Sequence, residues 1–354
     1  MVSVFLFTGR LSGGGSERVS AVLANYLVSQ EVATTVVTIG SVTDKDYRLD
    51  NRVQRLCLSD VNGSSVTRRL IKIIRKYKPD VIVSMAVPIS LYSIPAAIAT
   101  RTKIIVSERT DPKHSAAKKM TLWYSRFLLN FVDGFVFQTK DAKVFYNSKI
   151  QKRSVIIGNP LRDDLPQPYR GERNKEIVTA GRLVPLKNHK MLIESFKEIH
   201  EKHPDYKLVI YGDGPSRKDL EQLIQSLGLA DTVSLPGFVL DLNQRIRISS
   251  IFAFTSDYEG LPNSVLEAMG LGLPVVATDC PCGGVSSLIT HEYNGLLIKV
   301  GDTKALTESL FRIIEDNELA CRLGLKAEDV RMMYAESAIC SQWYEFITKV
   351  ATRK

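Results

Sequence analysis

Ile251-Phe252-Ala253-Phe254-Thr255-Ser256-Asp257-Tyr258-Glu259-Gly260-Leu261-Pro262-Asn263-Ser264-Val265-Leu266-Glu267-Ala268-Met269-Gly270 is the stretch that decides the fold. Its apolar start, Ile251 to Phe254, reads as a buried strand. A helix follows, and a second apolar run spans Pro274 to Thr278. That is a strand–helix–strand unit. Pro262 suits the first helical turn, where a missing N–H costs nothing. Glu259 and Glu267 lie on either side of the helix start. Free N–H groups and the positive end of the helix dipole make such a start a seat for an anion. Carboxylates beside it can accept hydrogen bonds from ligand hydroxyls. The combination describes a pocket for a sugar attached to a phosphate, whereas the two glutamates alone would favour an ordinary strand–turn–helix with solvated carboxylates.

The same alternation runs through the whole chain. Strand-like runs fall at Val2–Phe7, Thr35–Ile39, Asp80–Ser84, Lys103–Ser107, Gly134–Gln138 and Ser154–Ile157. They recur at Glu176–Ala180, Lys207–Tyr211, Thr232–Leu235, Ile251–Phe254, Pro274–Ala277 and Gly295–Ile298, with helical patterns between most of them. This predicts an α/β protein with two parallel sheets, each with helices on both faces. The chain of 354 residues suffices for two domains. Gly158-Asn159-Pro160 opens a polar, Pro- and Arg-containing stretch. It divides a first domain, 1–158, from a second, 175–334, with 159–174 as linker and hinge. A last helical pattern covers about 335–354.

Three further segments sit where strands give way to helices. Ala180-Gly181-Arg182-Leu183-Val184-Pro185-Leu186-Lys187-Asn188-His189 puts two cations on one loop, suited to the two phosphates of a nucleoside diphosphate. Tyr211-Gly212-Asp213-Gly214-Pro215 and Pro236-Gly237-Phe238 follow the next two strands. Near the start, Thr8-Gly9-Arg10-Leu11-Ser12-Gly13-Gly14-Gly15-Ser16-Glu17-Arg18 joins the first strand to a helix over Val19 to Val28. Its three successive glycines permit close backbone approach to a ligand. It lacks the Gly-x-Gly-x-x-Gly spacing of a dinucleotide site, which argues against a dehydrogenase.

Taken in order, Gly181-Arg182…Lys187, Tyr211–Pro215, Pro236–Phe238 and Glu259…Glu267 resemble the retaining glycosyltransferases of family 4. The resemblance covers nearly the whole chain and is most specific from about 177 to 300. It implies the GT-B fold, two Rossmann-like parallel-sheet domains facing across a cleft, with the last helix packed back on the first domain. It implies a UDP-sugar as co-substrate and retention of anomeric configuration. Arg182 and Lys187 would then stabilise the leaving diphosphate, and Glu259 would contact the donor sugar beside the N–H groups of Gly260, Leu261 and Asn263. Glu267 would hold the ribose hydroxyls. Gly14, Gly15 and Gly237 would line the donor site. The two cations take the place of a divalent metal in this reading, so no metal or other cofactor is expected.

Two positions depart from the family pattern. Many members carry a histidine in the first domain where this chain has Ser107-Glu108-Arg109-Thr110-Asp111-Pro112. Glu108 and Arg109 are therefore the candidates for acceptor or sugar contact. Gly283-Gly284-Val285-Ser286-Ser287 keeps a Gly-Gly turn, but has no glutamate near Ser287, where the family often has one.

Charge is unevenly spread. Residues 1–173 carry 27 Lys and Arg against 14 Asp and Glu, whereas residues 174–354 carry 20 against 24. The first half is thus expected to meet something anionic. No nucleic-acid module is recognisable, so nucleic acid is not expected. An anionic membrane surface fits better, through the basic amphipathic stretch Arg68–Lys78 and a second at Lys118–Leu128. No apolar run approaches the roughly 20 residues needed to span a bilayer. Five scattered cysteines argue against a disulfide framework, and Cys280-Pro281-Cys282 reads as a tight turn. The expectation is a cytoplasmic protein, peripheral at the inner face of the membrane.

The reading that results is a glycosyltransferase moving a hexose-type sugar from a nucleotide donor to a glycan acceptor, lipid-linked, in surface polysaccharide assembly. A GT-B-fold sugar-nucleotide epimerase and a non-catalytic sugar-nucleotide-binding protein are the alternatives. The first would need further acid–base residues, and the second fits poorly with the full Arg182, Lys187, Glu259 and Glu267 set.

Overall fold

The computed structural model describes residues 2–61, 65–114 and 127–353. The chain forms two compact units, 1–160 with 336–354, and 161–335.

The first unit is built on seven parallel strands: β1 Ser3–Thr8, β2 Ala33–Thr38, β3 Gln54–Cys57, β4 Val81–Ser84, β5 Lys103–Ser107, β6 Gly134–Phe137 and β7 Ser154–Ile156. Their order is β3-β2-β1-β4-β5-β6-β7. Phe5 on β1 lies beside Thr35 on one side and Ile82 on the other. The direction of strand addition reverses between β1 and β4, the point where such sheets receive ligands at their carboxyl ends. Val4 to Phe7 and Val81 to Val83 are buried whole, as strands covered on both faces must be. The covering helices include α1 Gly15–Ser29, α2 Val66–Tyr77 and α3 Val87–Thr100. Helix α1 begins inside the glycine run, four residues before its apolar periodicity suggests.

Helix α2 explains part of the basic patterning. Ser65 caps it by accepting from the Arg68 N–H, and Leu70, Ile73 and Ile74 are buried. Its apolar stripe therefore faces the unit's own core, leaving Arg68, Lys72, Arg75 and Lys76 exposed. Any contact with an anionic surface by this helix is electrostatic rather than insertional. In the second basic stretch, Lys118–Leu128, residues 118–126 lie outside the described residues.

The second unit repeats the plan with β8 Asn174–Ala180, β9 Lys207–Tyr211, β10 Val233–Gly237, β11 Ser249–Phe254, β12 Val275–Thr278 and β13 Leu296–Ile298. The order is β10-β9-β8-β11-β12-β13, with every pair parallel and the reversal between β8 and β11. Neighbouring residues on β8 point to opposite faces. Ile177 joins one core layer with Phe196 and Leu306, and Val178 the other with Leu266 and Met269. These layers are roofed by α4 His189–Lys202, α5 Arg217–Ser226, α6 Asn263–Gly270, α7 Thr303–Glu315 and α8 Asn317–Ala327.

Most of the stretch read as linker and hinge belongs to this second unit. Leu161 and Leu165, four residues apart, are buried in its core. A Cβ on Gly270 would come within 2.8 Å of the Leu165 Cδ2. The Leu161 N–H donates to the Tyr334 carbonyl at 2.8 Å. The polar Arg162-Asp163-Asp164 between them hides this anchoring from a composition-based reading.

The last helix, α9 Glu336–Ala351, is part of the first unit. It buries Trp343 completely, and Phe346 and Val350 lie against β6 at Gly134, where a Cβ would meet the Phe346 ring at 2.9 Å.

Candidate functional site

In the second unit, the loops leaving β8, β9, β10, β11 and β12 pack backbone against backbone. A Cβ on Gly212 would lie 1.9 Å from the Gly181 carbonyl oxygen, and one on Gly284 would lie 1.7 Å from that of Gly260. Gly181 N–H donates to Tyr211 O at 3.0 Å, Leu183 N–H to Asp213 O at 3.0 Å, and Gly212 N–H to Gly237 O at 2.9 Å. The glycine-bearing segments quoted from the sequence thus form one ledge at the carboxyl edge of this sheet.

Lys187 is fixed on that ledge. It ends a short 3-10 turn, Pro185–Lys187, which Asn188 terminates in the left-handed region at φ 46°. Asn188 Nδ2 donates to Asp257 Oδ1 at 3.0 Å, and Thr255 Oγ1 donates to the Lys187 carbonyl at 3.0 Å. The Lys187 stem crosses Gly181, where a Cβ would meet Cε at 3.2 Å. Its Nζ lies 2.6 Å from Glu259 Oε1, and the two side chains are only 15% and 22% exposed. Ser256 Oγ donates to the same carboxylate oxygen at 3.4 Å. Lys187 and Glu259, assigned above to different ligand groups, are therefore ion-paired with each other. Arg182 stands exposed on the same loop.

Pro262 is the N-cap of α6 rather than a residue inside it, and the helix starts at Asn263. No side chain caps this start. The Asn263 Oδ1 is buried without a hydrogen-bond partner. Gly260 and Leu261 are buried just before it, and Glu267 is half-buried one turn on. A buried polar atom with no partner beside an uncapped helix start is unfavourable unless a ligand completes it.

Burial, then Glu259, pushes the Cys280 thiol up to about 12, so it is no nucleophile at neutral pH. Among the described residues no three His, Cys, Asp or Glu side chains are grouped to hold a metal ion. The chain does contain one Asp-x-Asp, Asp44-Lys45-Asp46. It lies past β2 in the first unit, where Asp46 pairs with Arg55 at 2.9 Å.

His189 starts α4 directly behind this loop. Burial, and then the nearby Lys187 charge, hold its imidazole down to about 4, against an ordinary 6.5. Below pH 6.5 the unfolded chain takes up a proton that the folded one refuses until about 4. Stability should therefore fall as pH drops through this window, by up to about 3 kcal/mol. Urea midpoints at pH 7 and 4.5 should converge in His189→Leu relative to wild type. Equal pH slopes in the two proteins would remove His189 from the account.

In the first unit, Gly14 precedes α1 as an N-cap without a side-chain hydrogen bond. The Glu17 carboxylate folds back over it, so that a Cβ on Gly14 would sit 2.2 Å from Oε2, and Ser16 Oγ donates to that oxygen at 2.8 Å. Gly15 is the first residue of the helix. Glu108 is buried after β5, with Oε2 accepting from the Tyr146 hydroxyl at 2.6 Å. Its Oε1 accepts from the Thr110 hydroxyl and from the N–H groups of Arg109 and Thr110. Burial pushes its carboxyl up while these bonds pull it down. With both oxygens engaged, Glu108 positions the loop rather than a ligand. Arg109 is partly buried, and its Nη2 donates to Asn159 Oδ1, which also accepts from Gln138 Nε2 at 2.6 Å. The sequence reading passed over Gln138, Tyr146 and Asn159. One of them had a signal: Asn159 follows the last strand.

Comparison with known proteins matches residues 13–164 to the family described as Glycosyltransferase Family 4, and residues 162–330 to Glycosyl transferases group 1. The chain is 26% identical over 340 residues to an uncharacterized glycosyltransferase of Haemophilus influenzae, covering 94% of this chain and 96% of that one. It is 25% identical, over 99% of both chains, to a Campylobacter jejuni alpha-1,4-N-acetyl-D-galactosaminyltransferase named for a PP-undecaprenol-linked substrate. Among solved structures, Anabaena HepE with UDP and glucose aligns with a TM-score of 0.84 at 19% identity, over 98% of this chain and 100% of that one.

Proposed function

The chain belongs to glycosyltransferase family 4 and is a transferase of the GT-B fold, and from that premise we propose that it moves a hexose-type sugar from UDP to a lipid-linked glycan with retention of configuration. One observation carries the donor half of this reading. Lys187 and Glu259 meet beside an uncapped helix start whose Asn263 has a buried, unpartnered oxygen. Breaking the sugar–phosphate bond places negative charge on the leaving diphosphate. Arg182, Lys187 and the first N–H groups of α6 are the positive groups that would take it up. Lys187 then shares its charge between Glu259 and phosphate, and Glu259 turns a carboxylate oxygen to the sugar hydroxyls. Glu267 holds the ribose, with Gly237, Gly260 and Leu261 giving close backbone approach. Gly14 and Gly15, at the start of α1, offer close backbone approach to substrate. The leaving phosphate itself accepts the acceptor's proton, so no separate base is needed.

Relatives and the surface charge of α2 support the acceptor half. HepE was crystallised with UDP and glucose, and the Campylobacter relative is named for an undecaprenol-linked glycan. Amylovoran biosynthesis glycosyltransferase AmsD of Erwinia amylovora, 22% identical over 97% of this chain and 99% of that one, suggests a place in bacterial polysaccharide assembly. No described helix is long and apolar enough to cross a membrane. Contact with an anionic membrane is accordingly proposed through the exposed cations of α2, at the cytoplasmic face.

One assay addresses both halves. Sugar transfer from UDP-sugars to lipid-linked glycan in anionic vesicles should proceed in EDTA and weaken as salt rises. Abolition by EDTA would mean that a metal site has been missed. Interconversion of free donor without transfer would favour the epimerase. Vesicle binding that ignores salt would remove the electrostatic docking.

A further inference from the structure

Helix α3 presents the wrong face for a helix that meets only water. Val87–Thr100 includes no charged side chain, and Ser90 and Ser93 are among the residues it buries. Pro88, Tyr92, Ile98 and Ala99 are exposed instead, with Pro95 half-buried between them. Tyr92 and Ile98 are 40% and 51% exposed. Spaced three and four residues apart, these positions share one side of the helix. A surface helix ordinarily carries charge there, and an apolar face left open marks an interaction surface.

The same helix ends in positive charge. Between the C-terminal ends of α2 and α3 lies a hollow of about 530 Å³, whose lining includes Arg75, Lys78, Arg101 and Lys103 against one acid, Asp80. Asp80 is engaged by Ser3, whose N–H and hydroxyl both donate to Oδ2 at 2.8 Å. Lys103 lies 3.5 Å from Asp133. Arg75, Lys78 and Arg101 make no ion pair with any described residue. The helix ends do not need these side chains as caps, because backbone closes them. Lys78 N–H donates to Ile74 O at 2.7 Å, and Thr102 N–H to Ala97 O at 3.0 Å. Lys78 and Arg101 also stand in the left-handed region, at φ 49° and 57°, where helices usually end on glycine. Two long cations at such positions, beside one hollow, suit an oxyanion such as phosphate.

We propose that this face docks on an anionic phospholipid bilayer, with a lipid phosphate in the hollow and the exposed side of α3 set into the headgroup boundary. The two features are continuous, since Ala99 belongs to both. Cations beside an apolar helix face are what an anionic interface selects. The course of α3 fits as well. It leaves the carboxyl end of β4 and returns to the amino end of β5, so a bilayer along it reaches the sheet edge where the glycine run and Glu108 lie. The inference rests on the membrane contact proposed above and moves its centre: the cations of α2 attract, and α3 inserts.

The test is co-flotation of the full chain with vesicles of phosphatidylcholine, with and without phosphatidylglycerol. Wild type should bind the anionic vesicles, and part of that binding should survive high salt. Lys78→Asn with Arg101→Asn keeps residues that tolerate the left-handed region. This pair should weaken binding by roughly 25-fold, about 5-fold per cation. Tyr92→Gln with Ile98→Gln should weaken it by roughly 10-fold and remove the salt-resistant part. Thermal midpoints without vesicles should match wild type in both pairs. Wild-type binding by both pairs, with loss in Arg68→Gln, Lys72→Gln, would overturn the inference and leave electrostatic contact through α2 standing. No vesicle binding by wild type would overturn both. Calorimetry with inorganic pyrophosphate in saturating UDP tests the other source of phosphate. A pyrophosphate site lost in the Asn pair, in a protein that ignores vesicles, would overturn the lipid assignment and give the hollow to a free phosphate compound. If the Asn pair fails to fold, Lys78→Gly with Arg101→Gly carries the same comparison.

Discussion

Lys187→Ala should lower kcat by a factor of roughly 100–1,000, equivalent to about 2.7–4 kcal/mol of transition-state stabilisation, in a protein that still folds. The magnitude follows from where the ammonium is held. Its Nζ is fixed 2.6 Å from Glu259 and its backbone is tied to Thr255, so it is oriented before any substrate arrives. A preoriented charge needs little reorganisation as the leaving diphosphate gains charge. Lys187→Arg should recover only part of the rate, since a planar fork does not replace a compact ammonium on this short turn. The ion pair offers a rival explanation, in which the alanine merely strands Glu259. A double-mutant cycle with Glu259→Gln separates the two. If Lys187 acts on phosphate, its removal should still be costly in the Glu259→Gln background, and UDP binding should fall with it. If the effect vanishes there, Lys187 serves only Glu259. Near-wild-type turnover in Lys187→Ala would end the phosphate assignment altogether.

Most of the fold was legible because parallel strands buried on both faces announce themselves as apolar runs. Val81-Ile82-Val83 and Ile251 to Phe254 need no context to be recognised. Strand β3, Gln54-Arg55-Leu56-Cys57, was missed for the opposite reason. It sits at the sheet edge, beside β2 alone, and its exposed or half-buried polar residues give no run. Helix α1 was started late because Gly15-Ser16-Glu17 lacks apolar periodicity, yet the helix opens there. The amphipathic pattern of α2 was read correctly as a pattern. Pattern alone could not say that Leu70, Ile73 and Ile74 would be covered by the protein itself.

The site was legible in a different degree. Short loops between strand and helix carry their residues in fixed order, so Arg182, Lys187, Glu259 and Glu267 could be named from spacing and resemblance. What spacing cannot give is pairing across loops. Lys187 and Glu259 are far apart in sequence, and their contact depends on how the turn after β8 folds against the one after β11. The same limit hid the Arg109, Gln138 and Asn159 cluster, whose members come from three segments. Nothing in the segment around Glu108 announces that it is buried. Its burial comes from Tyr146, on a segment that shares no motif with it.

Gly212→Ala should abolish UDP binding and destabilise the protein by about 2–6 kcal/mol, the largest stability effect expected of any single methyl group here. Two independent penalties meet at this residue. Its φ of +128° is a conformation that L side chains rarely adopt, and a Cβ would fall 1.9 Å from the Gly181 carbonyl oxygen. Backbone cannot swing aside as a flexible side chain can, so Gly181 must shift and carry the Lys187 loop with it. Other glycines separate the two penalties. Gly228 has φ +72° with nothing within 4 Å, so Gly228→Ala should cost only about 1–2 kcal/mol and leave UDP binding intact. Gly284 carries no positive φ, but its Cβ would meet the Gly260 carbonyl oxygen at 1.7 Å. Gly284→Ala should therefore destabilise by about 1–3 kcal/mol or more and disturb Glu259 through Gly260. Urea midpoints and UDP calorimetry on the three variants test the order. If Gly228→Ala impaired UDP binding as severely as Gly212→Ala, generic loss of stability would explain the series. If instead binding fails only where the methyl group strikes backbone, the contact between these loops is what shapes the donor site.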